Sequence, residues 1–222
     1  MMSVLTVATF KGGTGKTLIC QTLACSLAGA CRLVVLDADP TGAFSRWATR
    51  AYEGPAFVTE AEADETRLAH LIATKSDTAD LVLVDTAGFG NRAASVAMTS
   101  ADAVLVPTLA GEADVTEAER TVQLVEALAR AARRDIPARV VLNRVKRTTT
   151  LARHAVTEIT AAGLPRIEAA LSDLVAFGEL TYSGRLPDTG PAVAEVAALV
   201  AELRGLGWLP YVATSSRSDV MP

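Results

Sequence analysis

The chain has 222 residues, 50% of them hydrophobic and 5% aromatic, with 21 Lys and Arg against 25 Asp and Glu for a net charge of −4. That length suits one α/β domain with a large core. The charge excludes a surface coated in basic residues, though not a local basic face, and no stretch reaches the ~18 consecutive apolar residues of a membrane span.

The first residues carry no positive region ahead of an apolar core, so no secretory signal is expected. Cys20, Cys25 and Cys31 match no common zinc or redox spacing. An odd number of cysteines without a signal suggests reduced thiols in the cytoplasm, serving as packing groups. His70 and His154 are isolated and read as surface or packing residues.

In chain order, "VLTVATF" (4–10) reads as a first strand that runs into a glycine-rich turn, followed by a helix over 15–29. "RLVVLDAD" (32–39) is the next buried strand. A polar–apolar helix over 64–76 precedes "DLVLVDTA" (80–87) and "DAVLVPT" (102–108). A long helical period covers 114–134, then "ARVVLNRV" (138–145), a helix over 149–162, a less clear strand "RIEAALS" (166–172) and a helix over 191–205. Short continuous apolar runs are the mark of parallel strands buried on both faces. Their alternation with helices predicts an α/β fold, a doubly wound, mostly parallel sheet with helices on both faces. One domain is expected over 1–212, with a disordered polar tail over 213–222.

The stretch "FKGGTGKT" (10–17) ends as a phosphate-binding loop should, in Gly15, Lys16 and Thr17. The first glycine of the usual pattern is replaced by Phe10, and an extra lysine, Lys11, precedes Gly12 and Gly13. Glycines let backbone N–H groups approach an anion, and the helix that follows adds its positive end. Lys16 is placed to reach the β- and γ-phosphates and the Thr17 hydroxyl to ligate Mg²⁺. "LVLVDTAG" ends an apolar strand in Asp85, one carboxylate at the mouth of the sheet near the metal, and Gly88 and Gly90 then allow a mobile segment that could sense the γ-phosphate. "VVLDADP" places Asp37 and Asp39 on the same sheet edge, where they could hold a metal-bound water and orient an attacking one. Either could instead be an ordinary strand-end Asp capping the next helix.

With these motifs the chain closely resembles the ParA/MinD family of deviant Walker A ATPases. Within it, "KGGTGKT", "DADPTGAFSRW" (37–47) and "LVLVDTAG" are most similar to the short ParA-type partition ATPases and the partition-like ATPases of T-DNA transfer. The resemblance covers roughly residues 3–145. It implies a P-loop ATPase using ATP and Mg²⁺, with nucleotide contacts from Lys11, Gly12, Gly13, Thr14, Gly15, Lys16, Thr17 and Leu18. It implies that Lys11 crosses a dimer interface to the partner's phosphates, acting as an arginine finger does elsewhere. Catalysis would fall to Lys11, Lys16 and Asp39, and the metal to Thr17, Asp37 and Asp85. Asn143 matches the position that hydrogen-bonds adenine, although a helix N-cap is the other reading. Leu18 stands where the family has a second Thr, and Thr41 where partition proteins commonly have Gln.

Between Arg130 and Arg153 lie eight basic residues and one acid, Asp135. Arg144, Lys146, Arg147 and Arg153, mixed with hydroxyls, are candidate DNA contacts, against the alternative of a solvated helix face. The resemblance then implies an ATP-dependent homodimer that binds DNA non-specifically. Its hydrolysis would be stimulated by a ParB-like partner protein, in the cytoplasm or on the nucleoid. Two other outputs are open: a MinD-like membrane-positioning ATPase, and a metabolic relative such as an amide-forming ligase or a reductase. Pro210 and Pro222 disfavour the C-terminal amphipathic helix the first needs. Cysteines placed only before residue 32 disfavour a cluster-bearing reductase.

Overall fold

The computed structural model describes residues 4–88 and 91–211. Gly90 and the tail 213–222 lie outside them. Among the described residues six parallel strands form one sheet: β1 (Val4–Val7), β2 (Leu33–Ala38), β3 (Val58–Ala61), β4 (Leu81–Thr86), β5 (Ala103–Thr108) and β6 (Ala138–Leu142). Their spatial order is β3-β2-β4-β1-β5-β6. The helices are α1 (Lys16–Leu27), α2 (Ala43–Arg50), α3 (Glu65–Ser76), α4 (Arg92–Ser100), α5 (Glu112–Ala132), α6 (Thr150–Ala161), α7 (Val175–Ser183) and α8 (Pro191–Gly205). The doubly wound α/β architecture expected from the sequence is what is found.

Side chains alternate across the sheet and build two cores. Leu5 and Val7 of β1 face α1, α2, α7 and α8, where Ile19, Leu23, Phe44, Phe177 and Leu199 are buried. Val4 faces the opposite layer, with Leu68 of α3, Ala97 of α4, Val122 of α5 and Ile159 of α6. Strands β1, β2, β4 and β5 are buried along their whole length. That explains their near-continuous apolar runs. Cys20 is buried and all three cysteines are free thiols, as the packing reading required.

Four elements carried too weak a pattern to be read. β3 is an edge strand of sequence "VTEA" with Val58 48% exposed, so it has no apolar run. α2, α4 and α7 are one to two turns longer than a single turn and follow loops without strong caps, except for Asn91 before α4, whose side chain accepts from Ala93 N.

Residues 166–172 require a correction, because they do not form a regular strand. Isolated bridges join Arg166 to Val140 and Ser172 to Val145. Ile167 N donates to Val140 O and Leu171 N to Leu142 O, so one edge of the segment follows β6. Its outer edge is taken by side chains of α8. Glu202 accepts from Glu168 N and Ala169 N at 2.8 Å each, and Glu195 accepts from Ser172 N at 2.7 Å. Two carboxylates seven residues apart share a helix face and satisfy N–H groups that a further strand would otherwise pair.

Replacing Glu202 by Ala strands the Glu168 and Ala169 amides. The expected loss is about 1–2 kcal/mol of unfolding free energy. Urea denaturation checks this through a lower midpoint at unchanged slope.

Candidate functional site

The turn after β1 delivers the chain to the carboxyl edge of the sheet. Gly13 and Gly15 have φ of 79° and 91°, a left-handed backbone that favours glycine. At Gly15 an added Cβ would stand 2.0 Å from the Asn143 carboxamide nitrogen. Asn143 is fully buried, donates to Thr14 O at 2.8 Å and accepts from Arg144 N at 3.0 Å. It therefore braces the phosphate loop, and its side chain is enclosed rather than open to a base. The next residue, Arg144, is held at φ 52°, strained for a residue with a side chain.

Lys16 opens α1, and its ammonium donates to Lys11 O at 3.2 Å, curling over the loop. Burial lowers its pKa, while Asp85 and Asp39 pull it back up. Gly88 lies against the same loop, since a Cβ there would meet Phe10 O at 3.3 Å. Helix α5 holds the loop twice. The Thr121 hydroxyl accepts from Phe10 N at 3.2 Å, and Asp114 pairs with the Lys11 ammonium at 2.7 Å. Neither α5 residue carries a recognisable spacing, and the sequence reading missed both.

Asp85 ends β4 abreast of Val7 of β1 and Asp37 of β2. Its carboxyl is buried, and neither oxygen has a hydrogen-bond partner of ordinary geometry. Burial pushes its pKa up to about 7. The Thr17 hydroxyl beside it opposes the shift, Asp37 adds to it, Lys16 opposes and Asp39 adds. Hydroxyl and carboxylate oxygens are the donors a hard divalent cation takes, and an orphaned buried carboxyl is what such an ion would satisfy. Among the described residues no group of three or more His, Cys, Asp and Glu could hold a metal alone. Mg²⁺ is usually bound by one or two carboxylates together with phosphate oxygens and water.

Asp37 and Asp39 differ in setting. Asp37 is buried and accepts from Asp39 N at 3.2 Å and from Ser45 N, in the first turn of α2, at 2.8 Å. Helix capping therefore does describe its geometry, beside its place next to Asp85. Asp39 lies one residue beyond β2, nearer solvent, and accepts from Thr41 N at 2.8 Å.

A cavity of about 470 Å³ opens beside Gly15 and Leu18, walled by Ser172, Leu174, Phe177 and Thr181. The basic stretch, continuous in sequence, is divided by β6. Arg130, Arg133, Arg134 and Arg139 line a groove at the start of that strand, and Arg144, Lys146, Arg147 and Arg153 follow its end. Arg147 is engaged, donating to Ser172 Oγ at 3.0 Å and to the Ala170 carbonyl and pairing with Glu195 at 3.2 Å.

The family model described as VirC1 protein matches residues 2–204. The chain belongs to the VirC1 family. The VirC1 protein of Rhizobium rhizogenes is 30% identical over 193 residues, 83% of each chain. A ParA protein of Rhizobium radiobacter is 30% identical over 189 residues, 82% of this chain and 84% of the relative. A solved complex of a Cyanothece McdA variant with ATP superposes with a TM-score of 0.74 at 15% identity, covering 96% of this chain and 99% of that one. At that identity the likeness concerns the fold. The ParA/MinD resemblance carried by the motifs is thus borne out, and this VirC1-family chain groups with partition-like P-loop ATPases.

The Asp85 carboxyl holds its proton more tightly folded, near pH 7, than unfolded, near the ordinary 3.8. Metal-free protein should therefore lose stability as pH rises from about 4 to 7 and level off above that. Asp85→Asn should flatten this dependence and also abolish stabilisation by Mg²⁺–ATP. Thermal midpoints across that pH range, with and without Mg²⁺–ATP, check both.

Proposed function

We propose that this VirC1-family chain is an ATP-switched positioning ATPase. It dimerises on ATP, binds DNA without sequence preference in that state, and is reset by hydrolysis that a partner protein stimulates. The orphaned Asp85 carboxyl beneath a phosphate loop that Lys16 already encloses is the observation that carries this reading. Family membership supports the rest.

In this reading Gly12, Gly13, Thr14 and Gly15 present backbone N–H groups to the triphosphate. Lys16 neutralises the β- and γ-phosphates, and Leu18 lies under the nucleoside. Thr17 and Asp85 hold Mg²⁺, with Asp37 ordering its waters. When bound, that ion supplies positive charge against the phosphates. Asp39, the more exposed of the two β2-end carboxylates, orients the attacking water. Lys11 leaves Asp114 and crosses to the partner's phosphates, where its charge stabilises the transition state. The Asn143 contact to Thr14 braces the loop that receives ATP. Lys146 and Arg153 remain for DNA, with Arg144 half committed to Asp173 at 3.9 Å.

Two variants separate binding from switching. Lys16→Ala removes a charge-assisted contact, and calorimetry should show ATP affinity reduced by about a hundredfold or more. Lys11→Ala should bind ATP as a monomer and lose both dimerisation and turnover, read by light scattering with a slowly hydrolysed analogue. A wild-type dimer with full turnover from Lys11→Ala would refute the role in trans.

The DNA output is tested on Lys146 and on Arg153, whose guanidinium contacts its helix neighbour Thr150 at 3.4 Å. Lys146→Glu with Arg153→Glu should abolish gel shifts of unrelated duplexes in the ATP-analogue state and leave ATP affinity unchanged. Wild-type binding should fall steeply with salt, because released counterions drive it. Equal shifts with ADP and with the analogue would remove the switch.

A further inference from the structure

We propose that Glu195, in the second turn of α8, is a positioning residue for the nucleoside end of the site, acting through Ser172 and Arg147. This rests on the reading that ATP binds with its triphosphate over Gly12–Thr17. A nucleotide so held, continuing past Gly15 and Leu18, enters the cavity whose wall begins at Ser172.

That wall has backbone support on one side only. Val145 N donates to Leu171 O and Asp173 N to Val145 O, and the chain then turns through Leu174 into α7. On the other side the support is ionic. The two Glu195 oxygens accept from Ser172 N and from the Ser172 hydroxyl. Arg147 Nε donates to the same hydroxyl at 3.0 Å and lies 3.2 Å from Glu195. The Glu195 side chain is only 11% exposed, so its hydrogen bonds are sheltered from water. Charge-assisted bonds of this kind are directional and about twice as strong as neutral ones. One serine thus carries three of them at the point where the segment beside β6 becomes the cavity wall. The wall's distance from Gly15 is set there, by Glu195 and Arg147, neither of which lines the cavity.

Glu202 provides the control built into the same helix. It binds Glu168 N and Ala169 N, upstream of the wall. A purely structural role for such carboxylates predicts equal consequences for both. Positioning predicts that Glu195 alone changes how the nucleoside is held.

The test compares wild type, E195Q, E195A and E202Q in binding ATP and inorganic tripolyphosphate. E195A should weaken ATP by about tenfold and E195Q, which keeps one acceptor, by about threefold. Tripolyphosphate affinity should stay within about twofold in both, since the loop itself is untouched. E202Q should lower the thermal midpoint and leave the ratio of ATP to tripolyphosphate affinity as in wild type. If E195A does not fold, E195Q and R147K carry the comparison. The proposal is overturned if folded Glu195 variants keep the wild-type ratio, or if they weaken both ligands equally. A wild type that does not prefer ATP over tripolyphosphate would overturn the nucleotide reading itself, a distinct failure seen before any variant is made.

Discussion

A buried carboxyl without a hydrogen-bond partner of ordinary geometry governs the arrangement of the sheet's carboxyl edge. Leaving such a group poorly paired costs about 1–3 kcal/mol, and Asp85 bears that cost at the carboxyl end of β4, with the Thr17 hydroxyl beside it. The parallel register sets its company. Asp37 stands abreast on β2 and Val7 abreast on β1, from which the phosphate loop departs. Three acidic residues, Asp37, Asp39 and Asp85, thus face one nearby ammonium, that of Lys16. Like charges gathered in a low-dielectric setting repel strongly. A divalent cation bound with phosphate would relieve the repulsion and satisfy the orphan oxygens together.

The loop above that carboxyl is held in shape before any anion arrives. Asn143 bonds Thr14 O so closely that only glycine fits at position 15, and the residue that follows it, Arg144, stands in a left-handed conformation. Helix α5 adds Thr121 on Phe10 and Asp114 on Lys11. These two α5 residues are seven apart and so share one face of the helix. A shift of α5 would move both the loop backbone and the lysine that marks this family. Preorganisation of the loop and restraint of Lys11 therefore come from the same helix.

What could be read from the sequence follows from where each signal is stored. β1, β2, β4 and β5 are buried on both faces, so their apolar runs name them. The loop glycines and the carboxylates at strand ends are local in sequence, and the reading placed them correctly at one sheet edge. β3 was missed because an edge strand needs no apolar run. Residues 166–172 were read as a strand from their short apolar run, and they do hydrogen-bond to β6 along one edge. What denies them a regular ladder is Glu195 and Glu202, more than twenty residues away, and no local pattern encodes that. Asp37 shows the limit of motif reading from the other side. The motif puts it near the metal, and the geometry also makes it the anchor of α2 through Ser45.

The basic stretch shows how counting charges along a chain misleads about charge in space. Eight basic residues in 24 positions look like one surface, but β6 runs through the middle and separates them into two ends of the sheet. Pairing reduces each end further. At the start of β6, Arg134 is bound to Thr99 O and Asp102, and Arg139 to Arg166 O. At its end, Arg147 is bound into the Ser172–Glu195 cluster. Counterion release scales with the phosphates a protein can neutralise, and a guanidinium already engaged by a carboxylate contributes less. On the proposed function, non-specific DNA affinity would have to come from few free charges per subunit, and a dimer would double that number. A monomer with so few free cations would bind weakly at physiological salt. Dimerisation, rather than any new contact, would then be the step that converts a nucleotide signal into attachment.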